Sequence, residues 1–286
     1  MPKLDIRTKS CLVTGAASGI GAATARRLGG EGARLVLTDV DAVGLAHQVD
    51  RLRSDGVQVL AAEPVDVTDE AAVRDFAARV HAEHGPLDLL LNVAGISMWG
   101  TVDRLTAEHW RRVIDVDLMG PVHVLSAFLP PMMASGRGGH VVNVASAAAL
   151  FGLPWHAAYS AAKFGLRGVS EVLRFDLREH GIGVSLVCPG AVATPLVGRL
   201  EVVGVDRDAP AIRQVERRFL RHAVTPEQAA EAIVRGVRRR RYWIYTSLDV
   251  RLGHWAQRWA PWAYRAAMRH LQRRLTAAAR AARRAS

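Results

Sequence analysis

Tyr159 and Lys163 close the run Tyr159-Ser160-Ala161-Ala162-Lys163. On a helix that spacing sets a phenol and an ammonium on one face, one turn apart. A free phenol, with a pKa of about 10, is a poor base at neutral pH. A fixed cation beside it favours the phenolate. Tyr159 can then take the proton of an alcohol while hydride leaves the carbinol carbon, or return it in the reverse direction. Ser146, thirteen residues earlier and just past an apolar strand-like run, can hold the same oxygen. General acid–base help of this kind is worth about 10²–10⁴ in rate. Alone, a Tyr–Lys pair at this spacing is common on helix surfaces, so its weight depends on what accompanies it.

A second constellation lies near the start of the chain, at Thr14-Gly15-Ala16-Ala17-Ser18-Gly19-Ile20-Gly21. It follows an apolar strand and opens a helix. Glycines there allow a tight turn and close approach of a pyrophosphate, which the free N–H groups of the helix start then face. Gly15, Ser18, Gly19, Ile20 and Gly21 are the expected phosphate contacts. Asp39 follows Gly21 by eighteen residues, at the end of the next strand, where a carboxylate meets an adenosine ribose 2′-OH. It would repel a 2′-phosphate, and neither Ser18 nor Val40 offers a cation to neutralise one, so NAD is expected over NADP. The alternative is an ordinary helix-capping Asp before Val40-Asp41. Asp66 and Val67 are expected beside the adenine. Asn92, Ala94 and Gly95, in Asn92-Val93-Ala94-Gly95, are expected to flank the ribose.

The elements that must position these groups alternate. Strand-like runs at Ser10–Thr14, Ala33–Thr38, Val57–Ala61, Leu87–Val93, His140–Ala145, Gly183–Val187 and Trp243–Thr246 are separated by helical patterns. The helices expected include Ile20–Leu28, Asp69–His84 capped by Thr68, Ala107–Met133 capped by Thr106, Ala157 to about Glu179, and one opening at Thr225-Pro226-Glu227-Gln228. Such alternation predicts an α/β fold, a doubly wound parallel sheet with helices on both faces.

With Pro189-Gly190 after the sixth strand added, the chain resembles the classical short-chain dehydrogenase/reductase family from about Ser10 to Tyr245. The family pattern is a Thr-Gly-x-x-x-Gly-x-Gly loop, an Asn-x-Ala-Gly turn, a Ser thirteen before Tyr-x-x-x-Lys, and Pro-Gly followed by Thr; here these are Thr14 to Gly21, Asn92 to Gly95, Ser146, Tyr159, Lys163, Pro189-Gly190 and Thr194. The resemblance implies a Rossmann-type sheet of order 3-2-1-4-5-6-7. It implies that Lys163 also holds the nicotinamide ribose, that Val192 and Thr194 contact the carboxamide, and that copies assemble through the long helices as a homodimer or homotetramer. Where the family usually carries Asn in the long helix before the catalytic strand, this chain has Asp117. The relay contact there is made by the backbone carbonyl, so activity is expected to survive, with Asp117 close enough to Lys163 to influence its charge.

The resemblance implies a substrate lid over residues 191–222, and its aliphatic Leu196, Val197 and Leu200 suggest an apolar substrate. Ile96, Ala148, Leu153, Trp155 and His156 are expected to share its pocket, His156 at the rim. One catalytic body is expected over residues 1–247. Residues 248–286 form a basic Trp/Arg-rich helical extension, fraying over Ala277–Ser286. The net charge of +11 is concentrated late: residues 212–286 carry 18 Arg against 4 acids, while residues 1–211 carry 20 Lys/Arg against 23 acids. The extension can dock on a subunit or the substrate mouth, or meet an anionic membrane as a peripheral contact; nucleic acid is disfavoured for want of a recognition motif. Cys11 and Cys188, on non-adjacent strands, are expected to be free thiols. With no signal-like start and no unbroken run of about 18 apolar residues, a cytoplasmic setting is expected. No metal enters this reading. The function expected is interconversion of a secondary alcohol and a ketone with NAD(H). The other class is a non-catalytic NAD(H)-binding module whose tail engages a membrane or partner.

Overall fold

The computed structural model describes residues 3–198, 200–205 and 209–285. Positions 199 and 206–208 of the expected lid, the side chain of Val197, and Ser286 lie outside the described residues.

The chain runs through β1 (Ser10–Thr14), α1 (Gly19–Gly29), β2 (Arg34–Asp39), α2 (Ala42–Ser54), β3 (Val59–Pro64), α3 (Glu70–His84) and β4 (Leu89–Asn92). A two-residue β5 (Met98–Trp99) precedes α4 (Ala107–Ile114), a π-helical turn (Asp115–Met119) and α5 (Gly120–Ala134). Then come β6 (Gly139–Val144), α6 (Ala157–Asp176), β7 (Ile182–Cys188), α7 (Pro195–Gly198), β8 (Glu201–Val202) and α8 (Pro210–Leu220). Last are α9 (Pro226–Arg238), β9 (Trp243–Tyr245), α10 (Leu248–Trp259) and α11 (Pro261–Ala285).

Seven parallel strands pair in the order β3-β2-β1-β4-β6-β7-β9, with β5 and β8 forming a separate parallel pair. Leaving out that pair, the main sheet has the expected 3-2-1-4-5-6-7 order. Strand alternation divides its faces. Cys11 and Val13 of β1 join a core with Leu28 of α1, Leu52 of α2 and Ile233 of α9. Leu12 between them joins Phe76 of α3 and Phe128 of α5 on the other side. Helix 107–134 is long and apolar enough to cross a membrane, yet Val124, Phe128 and Met132 are buried in that second core. Cys11 and Cys188 are free and buried, on strands separated by β4 and β6.

Three local expectations are corrected. Asp69, not Thr68, caps α3: its carboxylate accepts from Ala72 N at 3.0 Å, while Thr68 donates to Asp66. The helix from Ala107 is interrupted by the π-turn. The Ala/Arg tail does not fray through Ala285: it continues α11, since Ala and Arg are strong helix formers and Ala282 packs on Ala209 and Ile212 of the lid segment.

Candidate active site

β1 ends on a buried Thr14, whose hydroxyl accepts from Val93 N (3.0 Å) and Ala94 N (3.1 Å). This ties the glycine loop to the turn after β4. Gly15 has φ +66°, and a Cβ there would lie 2.8 Å from the Ala94 backbone; at Gly21 it would lie 2.0 Å from the Gly15 carbonyl oxygen. The loop is therefore a cradle that side chains would fill. Asp39 braces it, accepting from Ala17 N at 2.9 Å and from Asp41 N at 3.0 Å. Capping of α2 falls to Asp41, which accepts from Gly44 N.

A cavity of about 440 Å³ opens over this loop. It brings together Gly15, Ser18, Gly19, Ile20, Gly21, Asp39, Asp66, Val67, Ala94, Gly95, Ile96, Thr194 and Leu196. Sequence reading missed Met98, Arg112, Val116 and Glu201 on its walls. The missing signal is tertiary: β8 pairs with β5 through Met98 and Glu201, and Arg112 donates to Glu201 at 3.2 Å.

The Tyr159–Lys163 pair lies behind the Ile96–Met98 wall, where Tyr159 packs in one apolar cluster with those two residues. α6 carries Tyr159 and Lys163 on one face, with the Lys163 ammonium 5.6 Å from the ring centre. Lys163 Nζ donates to Val144 O at 3.3 Å, and it lies 3.5 Å from the carboxylate of Asp117. Ser146 ends the turn after β6; its hydroxyl accepts from Ala148 N and is hydrogen-bonded to Tyr159. The π-turn delivers Asp117 inward, wholly buried. One of its oxygens accepts from Ile96 N at 2.9 Å, and the other, Oδ2, has no partner. Gly95 is required beside it, because a Cβ there would stand 2.7 Å from Asp117 Oδ1.

Charge and burial compete here. Burial pushes the Asp117 carboxyl above the usual carboxylate range, against Lys163 and the Ile96 N–H. Burial and then the Asp117 charge push the Tyr159 phenol up, with the Ser146 hydrogen bond opposing. Burial takes His156 down to about 4 against its bond to Pro154 O. His156 is therefore a neutral, buried ring between Trp99 and Tyr159, with centroids at 4.5 and 6.1 Å, and not a rim group.

Several expected contacts lie elsewhere. Asn92 is buried beneath the turn and donates to Asn143 at 2.9 Å. Pro189 O accepts from Ala147 N, Gly190 N donates to Thr246, and Val192 bridges to Val224. Ala148 and Leu153 pack into the apolar interior, Trp155 passes the chain through φ +69° beside β5, and Leu200 is half-buried. None of these, nor His156, is among the cavity's described walls.

Comparison with known proteins agrees with this architecture. The short chain dehydrogenase family model matches residues 9–202. SadH of Mycobacterium tuberculosis, named as an oxidoreductase, is 38% identical over 231 residues, which is 80% of this chain and 82% of SadH. The 1-deoxy-11-beta-hydroxypentalenate dehydrogenase of Streptomyces avermitilis is 33% identical over 258 residues, 87% of this chain and 89% of its own. A Burkholderia phymatum short-chain dehydrogenase/reductase solved with NAD superposes with a TM-score of 0.79 at 31% identity, covering 88% of this chain and 95% of that one. The chain belongs to the short-chain dehydrogenase/reductase family and is an oxidoreductase of that family. The Burkholderia structure holds NAD, and a metagenomic short-chain oxidoreductase 30% identical to this chain was solved with NADP.

Proposed function

We propose that this protein interconverts a secondary alcohol and a ketone with NAD(H), taking an apolar or bulky substrate. The observation that carries the reading is the meeting of Ser146, Tyr159, Lys163 and Asp117 behind one wall of a cavity whose far end is the glycine loop and Asp39. The residues fit a dinucleotide: three glycines form the cradle, and the Asp39 carboxylate lies on the cavity wall. That carboxylate disfavours a 2′-phosphate and supports NAD over NADP. When bound, the dinucleotide supplies or accepts the hydride.

The chain's own residues handle the oxygen and the proton. Ser146 steadies the substrate oxygen. Burial keeps the proton on Tyr159, so the phenol is set to donate it to a ketone oxygen; for alcohol oxidation the Lys163 charge favours the base form. Ile96, Met98, Val116 and Leu196 make the cavity wall on this side apolar, which supports an apolar substrate. A relative named for a hydroxypentalenate dehydrogenase supports alcohol chemistry. In this reading residues 1–247 are the catalytic body, 191–222 its lid and 248–286 an extension. Copies pair through α4 to α6, where Phe164, Val172 and Phe175 are exposed.

The test follows NADH formation from NAD⁺, with NADP⁺ in parallel, over a panel of small and bulky secondary alcohols. Turnover with NAD⁺ is expected to fall by about 10²-fold or more in Tyr159→Phe. Turnover mainly with NADP⁺ would refute the role given to Asp39 alone. NADH binding without turnover on any alcohol would favour a binding module.

A further inference from the structure

α10 is amphipathic with its faces reversed relative to a core helix. Its inner side carries Val250, buried at 3% exposure, and Gly253, which abuts the Phe151 ring. His254 on the same side is hydrogen-bonded to Tyr245 at 2.9 Å. The outer side carries Leu248, Leu252, Trp255 and Trp259, spaced i, i+4, i+7 and i+11 as one stripe. All four are exposed, Trp255 at 59% and Trp259 at 66%, and Trp262 at the start of α11 is 73% exposed. A stripe of this size is unusual on a surface left to water.

Its surroundings are cationic. Residues 248–286 hold nine arginines against one acidic side chain, Asp249. A second cavity of about 530 Å³ adjoins the stripe, shares Leu248 with it and is lined also by Arg251. Arg235, Arg239 and Arg241 line the same cavity. Among the described residues, Arg239, Arg241 and Arg251 have no carboxylate within ion-pair distance. A second copy of this chain fits the stripe poorly, because a two-fold contact would bring the arginine-rich surroundings of one stripe against those of the other.

We infer that this face docks on an anionic phospholipid bilayer, with the Leu/Trp stripe in the headgroup–acyl boundary and the arginines on lipid phosphates. Tryptophan suits that boundary, having an apolar body and a polar N–H. The extension is anchored to the catalytic body, since Tyr264 donates to Gly152 O at 2.8 Å and its ring packs edge-on to Phe151. The stripe therefore sits on a rigid support and does not hang as a loose tail. This inference stands independently of the catalytic reading.

Sedimentation of the full chain with phosphatidylcholine vesicles, with and without phosphatidylglycerol, tests it. Partition is expected into the phosphatidylglycerol vesicles only, weakened by salt and accompanied by blue-shifted tryptophan emission. The pair Trp255→Ala and Trp259→Ala should lower the partition coefficient about tenfold or more, as should Arg239→Ala with Arg241→Ala, the circular dichroism unchanged. Should the tryptophan pair lose its fold, the arginine pair decides. A full chain that stays in the supernatant with phosphatidylglycerol vesicles would overturn the inference. So would a folded variant pair that binds like the unaltered chain. A stripe whose loss alters only the size-exclusion position would also overturn it, making the face a contact between copies.

Discussion

Asp117 places a carboxylate 3.5 Å from the ammonium that is meant to act on Tyr159. The carboxylate opposes the effect of the ammonium at the phenol and pushes the phenol up. Asp117→Asn removes that push, keeps the size of the side chain, and leaves an oxygen to accept from Ile96 N. Oxidation needs the deprotonated phenol, so its rate rises with pH through the Tyr159 transition. The acid limb of the pH–rate profile should therefore move to lower pH in Asp117→Asn. An unchanged profile would make Asp117 a structural neighbour of the lysine only. Reduction, which uses the protonated phenol, should lose activity at high pH sooner in the same variant.

Gly21, in the first turn of α1, faces the carbonyl of Gly15 so closely that one methyl group cannot be seated. Gly21→Ala must push the helix start off the loop. Binding of NADH, measured by fluorescence titration, should weaken about tenfold or more, with a thermal midpoint several degrees lower. Binding unaltered from the native chain would mean that the loop does not set the phosphate site. This loop was legible in sequence because all its determinants are local: a strand, three glycines, a helix, and an acid at the next strand end. Tyr159 and Lys163 were legible for the same reason, lying within about one helical turn, with Ser146 just past the preceding strand. Thr106 and Thr225 announced helix starts as caps, and the structure completes a capping box at each. What sequence could not supply was anything set by distant pairing. β5 and β8 are two residues each and exist only because Met98 meets Glu201 across the cavity. His156 is a buried ring against Trp99 of β5, while the half-buried Trp155 and Leu153 lie outside the cavity wall where they were expected. Asn92 misled similarly, since its side chain answers to Asn143, fifty-one residues later.

Across the whole molecule, buried neutral histidines link stability to acid. His140 is held between β6 and β7, donating to Ser185 at 2.7 Å, and burial with Arg240 nearby takes it from 6.5 down to about 3. His156 falls to about 4. Both bind a proton in the unfolded chain below 6.5 but resist it when folded. Their stabilising contribution is thus complete above pH 6.5 and declines as pH falls toward those depressed values. Each should cost about 1.4 kcal/mol per pH unit in that window. Urea unfolding at pH 7, 6 and 5 should show this slope, and His140→Gln should reduce it; a flat stability profile would contradict the assignment. A last consequence concerns time more than energy. The strand Glu201–Val202 is tied to Met98–Trp99 on one side, and the following helix is held by Ala282 of α11 on the other. If this segment is the lid proposed above, a product leaving beneath it must wait for two separate fastenings to part, and its residence time is then set by the seam between them and not by the residues proposed to handle the proton.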